Sequence, residues 1–216
     1  MEAATVGGVV LAHTISRGAI ISSAVLMNIS ETLSVRLRPV DTGDVDSAYE
    51  MLSDWQVVRF MLFPLYSKPD TEKFIRDSMN DTGSAAWRSV VRAVVDAESD
   101  ELAGLCGIAI LGGSEEGEIW YLVHPRYWGR GLATAAAAGL LHLGFGELGL
   151  HRIWACCLPE NPASARVLEK LGMRREGFRK QNLKIHGEWK DSYLYAILAD
   201  EWRTGGGLRT AGGTVQ

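Results

Sequence analysis

The chain is poor in the features that would anchor it covalently, hold a metal or carry it into a membrane. Three cysteines occur among its 216 residues: Cys106, Cys156 and Cys157. An odd count with two adjacent builds no disulfide framework, and no Cys-x-x-Cys or Cys/His spacing offers zinc a ligand set. All three sit in apolar runs, as buried reduced thiols of a cytoplasmic protein do. Long hydrophobic runs are missing too. The most apolar stretch near the N-terminus, Ala19 to Met27, contains two serines and falls far short of the roughly 20 residues a membrane helix needs. It is also a weak secretory signal, with Glu2 ahead of it, Arg17 as the base and no Ala-x-Ala site after it. Positive charge is not in excess: 22 Lys and Arg against 26 Asp and Glu give a formal net charge of −4. Clustered basic residues are what a phosphate backbone requires, so nucleic acid is not an expected partner.

What is present is the balance of one globular domain, with 47% hydrophobic and 22% charged residues. Residues 1–32 are mostly small and apolar without clear period, and fit an extension, an exchanged strand or an over-called start alike. Residues 204–216 contain five glycines and a single charge, too little to offset ordering entropy, so a flexible tail is expected. The folded unit is expected over 33–203. Within it, Leu33 to Val40 alternates as a strand does, and Asp41 or Thr42 can cap a helix to about Ser53. A second helix runs from Pro69 or Asp70 to about Met79. Between them lies QVVRFMLFPLY, unusually apolar and aromatic for a connection. Strands are expected over 87–95, 102–111, 118–123, 152–158 and 189–199, and helices over 132–145 and 162–171. Antiparallel strands followed by strand–helix–strand–helix read as an α/β (α+β) domain with a mixed, largely antiparallel sheet flanked by helices.

Two segments carry chemistry. In Tyr121-Leu-Val-His-Pro-Arg-Tyr-Trp-Gly-Arg-Gly-Leu-Ala-Thr134 a strand ends near Pro125, and a turn with Gly129 and Gly131 opens an alanine-rich helix. Small residues there let backbone N–H groups approach an anion, and the helix N-terminus adds unsatisfied donors and partial positive charge. Arg130 can pair with a phosphate. The dinucleotide fingerprint fails because Thr134 replaces its third glycine, and a Walker A motif fails for want of Gly-Lys-Ser/Thr. In Pro159-Glu-Asn-Pro-Ala-Ser164, Asn161 before Pro162 is a strong helix start, and Gly172 a strong stop.

Together these segments resemble the GCN5-related N-acetyltransferase (GNAT) superfamily, in its RimJ/RimL-like branch. The resemblance covers about 34–203 and includes VRLRPV, Glu118-Ile-Trp-Tyr, HPRYWGRGLAT, His151-Arg-Ile, ENPASARVLEKLGMRREG and Gly187-Glu-Trp-Lys-Asp191. It implies a sheet with splayed central strands, here 118–123 and 152–158, and acetyl-CoA as cosubstrate without a metal. The family's phosphate loop falls on Trp128-Gly-Arg-Gly131-Leu-Ala133, with Trp where Gln or Arg is usual. Cofactor contacts are implied at Leu122, Val123, Trp128, Gly129, Arg130, Gly131, Leu132, Ala133, Thr134, Asn161 and Ser164. A backbone N–H near Val123 would polarise the acetyl carbonyl.

The resemblance also implies the proton chemistry. The amine must lose a proton before attack, and the departing thiolate must be stabilised. The Tyr that many members use for the second task is Leu168 here, and Ser164 stands where RimL-type enzymes place a serine. Their base, a Glu, is replaced by Leu183, which leaves Glu118 as the next candidate, able to work through a water; the alternatives are a Glu118 that only fixes the neighbouring loop and proton loss to ordered water with no dedicated base. Asp191 and His124 are weaker candidates, one able to orient the final hairpin and the other to end its strand. The acceptor site is expected from 55–68, the turn 112–117 and the hairpin 180–191. Lys180, Lys184, His186 and Lys190 on that hairpin would repel a polycation such as spermidine and could meet an acidic peptide, which leans toward a protein N-terminus or an amino acid; the expected acceptor is a protein or peptide N-terminus or a small amine metabolite or antibiotic. A monomer or homodimer is expected. The competing reading is a catalytically silent acyl-CoA-binding module on the same fold, kept open by Leu168 and Leu183.

Overall fold

The computed structural model describes residues 34–79, 83–84 and 87–204. The expected extension 1–32 lies outside the described residues, as does the expected tail apart from Thr204, which ends the last helix. The strands are β1 (Val35–Pro39), β2 (Gly83–Ser84), β3 (Trp87–Asp96), β4 (Leu102–Leu111), β5 (Glu116–Val123), β6 (Arg152–Cys157), β7 (Arg174–Ile185) and β8 (Glu188–Leu198). The helices are α1 (Val45–Leu52), α2 (Trp55–Val58), α3 (Lys68–Ser78), α4 (Leu132–His142), α5 (Pro162–Lys170) and α6 (Ala199–Thr204).

Seven strands run in the order β1-β3-β4-β5-β6-β8-β7, with β2 paired to β3 alone. Every pairing is antiparallel except β5 with β6. This is the mixed α/β sheet expected from the sequence. β4 reads LAGLCGIAIL and is buried along all but its last residue, because both its faces are covered by helices. One core layer packs α4 and α5 onto the sheet through Ile108, Ile119, Leu140 and Ile153. The other packs α1 to α3 onto the opposite face through Met51, Leu52, Ile75 and Leu105. The side-chain alternation of a strand therefore divides β5: Ile119 and Val123 join the first layer, and Trp120 and Leu122 the second.

Local signals explain most helix starts. Asp41 accepts from Gly43 N and Asp44 reaches back to Asp41 N, a reciprocal cap that opens α1 through a 3₁₀ turn. Ser67 and Asp70 form the same device before α3. Four differences from the sequence reading stand out. α2 forms inside the connection QVVRFMLFPLY, capped by Asp54. β7, a twelve-residue polar edge strand, precedes the expected last strand. The helix after the glycine turn is α-helical only to His142 and closes in a π-turn over Leu143–Glu147. α6 follows β8 directly.

The decisive feature is where β5 and β6 stop pairing. Their register runs Glu116–Arg152, Gly117–Ile153 and Glu118–Trp154, and ends there. Each strand keeps its outer neighbour, β5 with β4 to Val123 and β6 with β8 to Cys157. The paired end is clamped by Arg152, whose guanidinium bonds Glu116 at 2.9 Å and Glu176 at 2.6 Å. Beyond Glu118 the sheet opens. These are the splayed central strands that the resemblance implied.

Candidate active site

A sheet that parts in the middle presents backbone groups that no strand takes up. His124 N donates to Ala103 O at 2.8 Å. Hydrogen-bonded pairs alternate in an antiparallel ladder, so the N–H groups of Ile119, Tyr121 and Val123 face the β6 side. The carbonyl of Val123 is bonded by the indole Nε1 of Trp128 at 2.7 Å. Trp128, which opens the glycine turn, thus ties that turn to the end of β5. Gly104, register partner of Val123, permits this close layering: a Cβ there would lie 2.4 Å from the carbonyl oxygen of Leu122.

Below the opening, Gly129 and Gly131 hold φ of 78° and 84°, a region costly for side-chain-bearing residues. An ideal Cβ at either meets nothing within 4 Å, so the turn is an open cradle. Gly131 is also the N-cap of α4 and makes no side-chain cap bond. The first-turn N–H groups of α4 are thus left for an external acceptor, as an anion site requires. Arg130 is engaged elsewhere: it bonds Asp96 at 3.0 Å and Glu98 at 3.1 Å, and stacks over Tyr127. Its guanidinium braces the turn against the β3–β4 hairpin. Asn161 caps α5 by accepting from Ser164 N at 3.2 Å.

A groove of about 410 Å³ runs along this face. Leu122, Val123, Trp128, Gly129, Gly131, Leu132, Ala133, Thr134, Asn161 and Ser164 all line it; Arg130 does not. The groove is also lined by three cations that the sequence reading did not assign to the cofactor: Arg59, Arg166 and Lys170. Arg166 and Lys170 are one turn apart on α5, and that spacing was the available signal.

A second cavity, of about 160 Å³, passes through the opening in the sheet. It shares Phe60, Met61, Tyr121, Leu122, Asn161 and Ser164 with the groove, so the two meet at the gap. Glu118 lines it from the α1–α3 face, beside Cys156. Burial pushes the Glu118 carboxyl up to about 7, against a smaller downward pull from Arg179. From the other face, the Tyr121 hydroxyl meets the Ser164 hydroxyl at 3.0 Å. Burial also raises the Tyr121 phenol, so it stays protonated at neutral pH. The sequence reading passed over Tyr121, whose partner lies 43 residues away.

The other residues considered have structural settings. Leu168 is fully buried in the core under α5. Leu183 is buried beside Leu158 and Ile185 and lines the cavity wall. Asp191 accepts from Gln181 N at 2.8 Å where β7 bulges, and so orients the hairpin. His124 ends β5 and accepts from Arg126 N. The turn 112–117 does not line the cavity, because it joins β5 at the paired end of the sheet. The segment around 60–66 and the hairpin end at 183–185 do. His186 links these two walls, with Nε2 3.2 Å from Val58 O and its ring 4.7 Å from Trp55. Among the described residues no His, Cys, Asp and Glu cluster is arranged to hold a metal ion, and no helix is long and apolar enough to cross a membrane.

A groove ending on a helix N-terminus and joined through a split sheet to a second cavity has the form of a two-substrate site, with room for an anionic ligand on one face and a second molecule on the other. Residues 34–174 match the model of the acetyltransferase (GNAT) domain family, and the chain belongs to that family. It is 34% identical over 171 residues to the uncharacterized N-acetyltransferase YnaD of Bacillus subtilis, covering 79% of this chain and 97% of that one. A solved acetyltransferase (GNAT family) from Bacillus anthracis superposes with a TM-score of 0.70 at 34% identity, covering 78% of this chain and 96% of that one. Two Escherichia coli enzymes with different acceptors match at lower identity. The [ribosomal protein uS5]-alanine N-acetyltransferase is 28% identical over 112 residues, 51% of this chain and 58% of its own. Spermidine N(1)-acetyltransferase is 25% identical over 170 residues, 78% of this chain and 88% of its own. The chain is therefore an acetyl-CoA-dependent N-acetyltransferase by family.

Proposed function

We propose that the enzyme transfers the acetyl group directly from acetyl-CoA to a primary amine, with the two substrates meeting through the gap between β5 and β6. The observation that carries this reading is the joining of the two cavities at Tyr121, Asn161 and Ser164, with Glu118 on one face of the sheet and the hydroxyl pair on the other. Acetyl-CoA supplies a thioester carbonyl open to attack. The open glycine turn and the uncapped start of α4 fit its pyrophosphate, and Arg59, Arg166 and Lys170 add positive charge along the groove.

Glu118, half ionised near pH 7, takes the proton from the incoming ammonium. The nitrogen then forms its bond to the acetyl carbon as the carbon–sulfur bond breaks. The Val123 N–H, facing the gap, donates to the carbonyl oxygen as negative charge develops there. The second proton of the attacking nitrogen leaves as the amide forms and passes to the departing thiolate through the Ser164 hydroxyl, which gives its own proton to the sulfur and takes the nitrogen's in return, oriented by Tyr121. Holding both reactants at one opening in the sheet supplies a further part of the rate. The acceptor is a peptide N-terminus or a small amine, and the site acts in the cytoplasm in a monomer or homodimer.

The test is an acceptor screen with thiol detection, run over peptides, amino acids, polyamines and amine antibiotics. Thiol release with at least one amine class, lost in Glu118→Gln at pH 7, is the expected outcome. Acetyl-CoA binding by calorimetry without thiol release on any amine would instead identify a silent acyl-CoA-binding module.

A further inference from the structure

The cavity on the α1–α3 face is chemically specific. Among the described residues, Glu118 is the only charged side chain that lines it. Its wall is a continuous run of aromatic contacts: Phe63 to Tyr66 at 5.0 Å between ring centroids, Tyr66 to Phe74 at 6.0 Å, and Phe74 to Trp120 at 6.5 Å. Leu183 and Ile185 close the opposite side. The volume of about 160 Å³ is close to that of a dry, apolar cavity that takes up benzene, about 150 Å³. This aromatic wall is separate from the groove assigned to the cofactor, because Phe63, Tyr66, Phe74 and Trp120 line the first cavity and not the second.

We infer that the acceptor is a primary monoamine carrying an aromatic or branched apolar group, which fills the Phe63–Tyr66–Phe74–Trp120 pocket while its nitrogen reaches Glu118. This rests on the transferase reading above and narrows its acceptor. A polyamine brings further ammonium groups, and each buried charge needs its own partner. The cavity has one carboxylate, and that group is committed to the reacting nitrogen. Among the described residues the rim adds no second carboxylate free for another ammonium: Arg179 acts on Glu118, and on the hairpin outside Glu188 is paired with Lys190 at 2.6 Å and Asp191 accepts from Gln181 N. A small hydroxylated amine would reach Glu118 but leave the aromatic wall uncovered, forfeiting the burial that an apolar group supplies.

Four probes separate these cases: 2-phenylethylamine, the peptide Phe-Gly-Gly, spermidine and ethanolamine. Each is titrated calorimetrically into the CoA-loaded protein, and each is assayed for thiol release with acetyl-CoA. The expected result is binding of an aromatic amine, with kcat/KM at least about tenfold above spermidine and ethanolamine, the range that one apolar group supplies. Whether 2-phenylethylamine or Phe-Gly-Gly leads tells a free amine from a peptide N-terminus. Preference for spermidine overturns the acceptor class and leaves transfer standing. Binding of 2-phenylethylamine without thiol release keeps the acceptor class and removes the transferase reading. No binding of either aromatic probe overturns the inference. Phe63→Ala should raise KM for 2-phenylethylamine about tenfold with little change for ethanolamine, CoA affinity serving as the check on folding. If that variant does not fold, Phe63→Leu is measured the same way. An unchanged KM refutes the role of the wall.

Discussion

Replacing Glu118 by Gln separates two routes by which an amine can lose its proton. On the proposed mechanism the ammonium form binds the wild type and Glu118 accepts its proton, so kcat/KM should follow ionisation of Glu118. It should fall tenfold per pH unit below about 7 and stay level above. In Glu118→Gln only the free amine reacts. An alkylamine with a pKa of about 10 is roughly one part in a thousand neutral at pH 7. The variant should therefore be down by as much as about 10³-fold at pH 7, with the deficit shrinking tenfold per unit towards pH 10 and no break near 7. Removing the positive charge in Arg179→Met should move the wild-type break upward, because Arg179 lowers the carboxyl.

The same group carries a stability signature. The folded state holds the Glu118 proton up to about 7, against an ordinary value of 4.5. Between those pH values the folded state binds more protons than the unfolded, so stability falls as pH rises through the window. At 1.36 kcal/mol per pKa unit the loss is about 3 kcal/mol at most. Urea denaturation should find Glu118→Gln more stable than wild type at pH 8 and no more stable at pH 4.5. A kinetic break near pH 7 that persists in Glu118→Gln would refute the assignment of the base. A stability gain independent of pH would refute the buried-carboxyl account.

Other consequences are open to direct measurement. Ser164→Ala should lower kcat about tenfold or more with CoA affinity nearly unchanged, and Tyr121→Phe should lower it less. The double variant should be no worse than Ser164→Ala, because Tyr121 acts through that hydroxyl. Gly131→Glu should abolish CoA binding by calorimetry, whereas Gly131→Ala should mainly cost about 1 kcal/mol of stability from its positive φ, since its Cβ meets open space. Gly104→Ala should cost about 2 kcal/mol or more and reduce activity. Its Cβ displaces the Leu122 carbonyl next to the N–H of Val123, and a melting temperature within a degree of wild type would show that the strands yield freely.

Much of the fold was legible because its signals are short-range. Asn161-Pro162 caps and starts α5 within three residues, and the alternation read over 33–40 falls on β1, where Val35 is buried and Arg36 exposed. α2 was not legible: four residues in a uniformly apolar run carry no period, and packing against β7–β8 through His186 holds them. β7 was hidden for the opposite reason, since an edge strand exposed on both faces over most of its length has little alternation to show. Within the site, Glu118 and Ser164 could be nominated from a motif, but not their states. The raised carboxyl needs walls from α1–α3 and the hairpin, and the hydroxyl pair needs α5 to lie across the gap from β5.

The glycine turn, the helix caps and the strands that bear them are set locally, because each depends on residues within one or two turns of chain. The parting of β5 and β6 after Glu118, the meeting there of the groove of about 410 Å³ and the aromatic-walled cavity, and the burial that raises the Glu118 carboxyl come only with the folded chain. Those are properties of segments brought together from across the chain, and burial and electrostatics act on distance in space, not on spacing along the sequence.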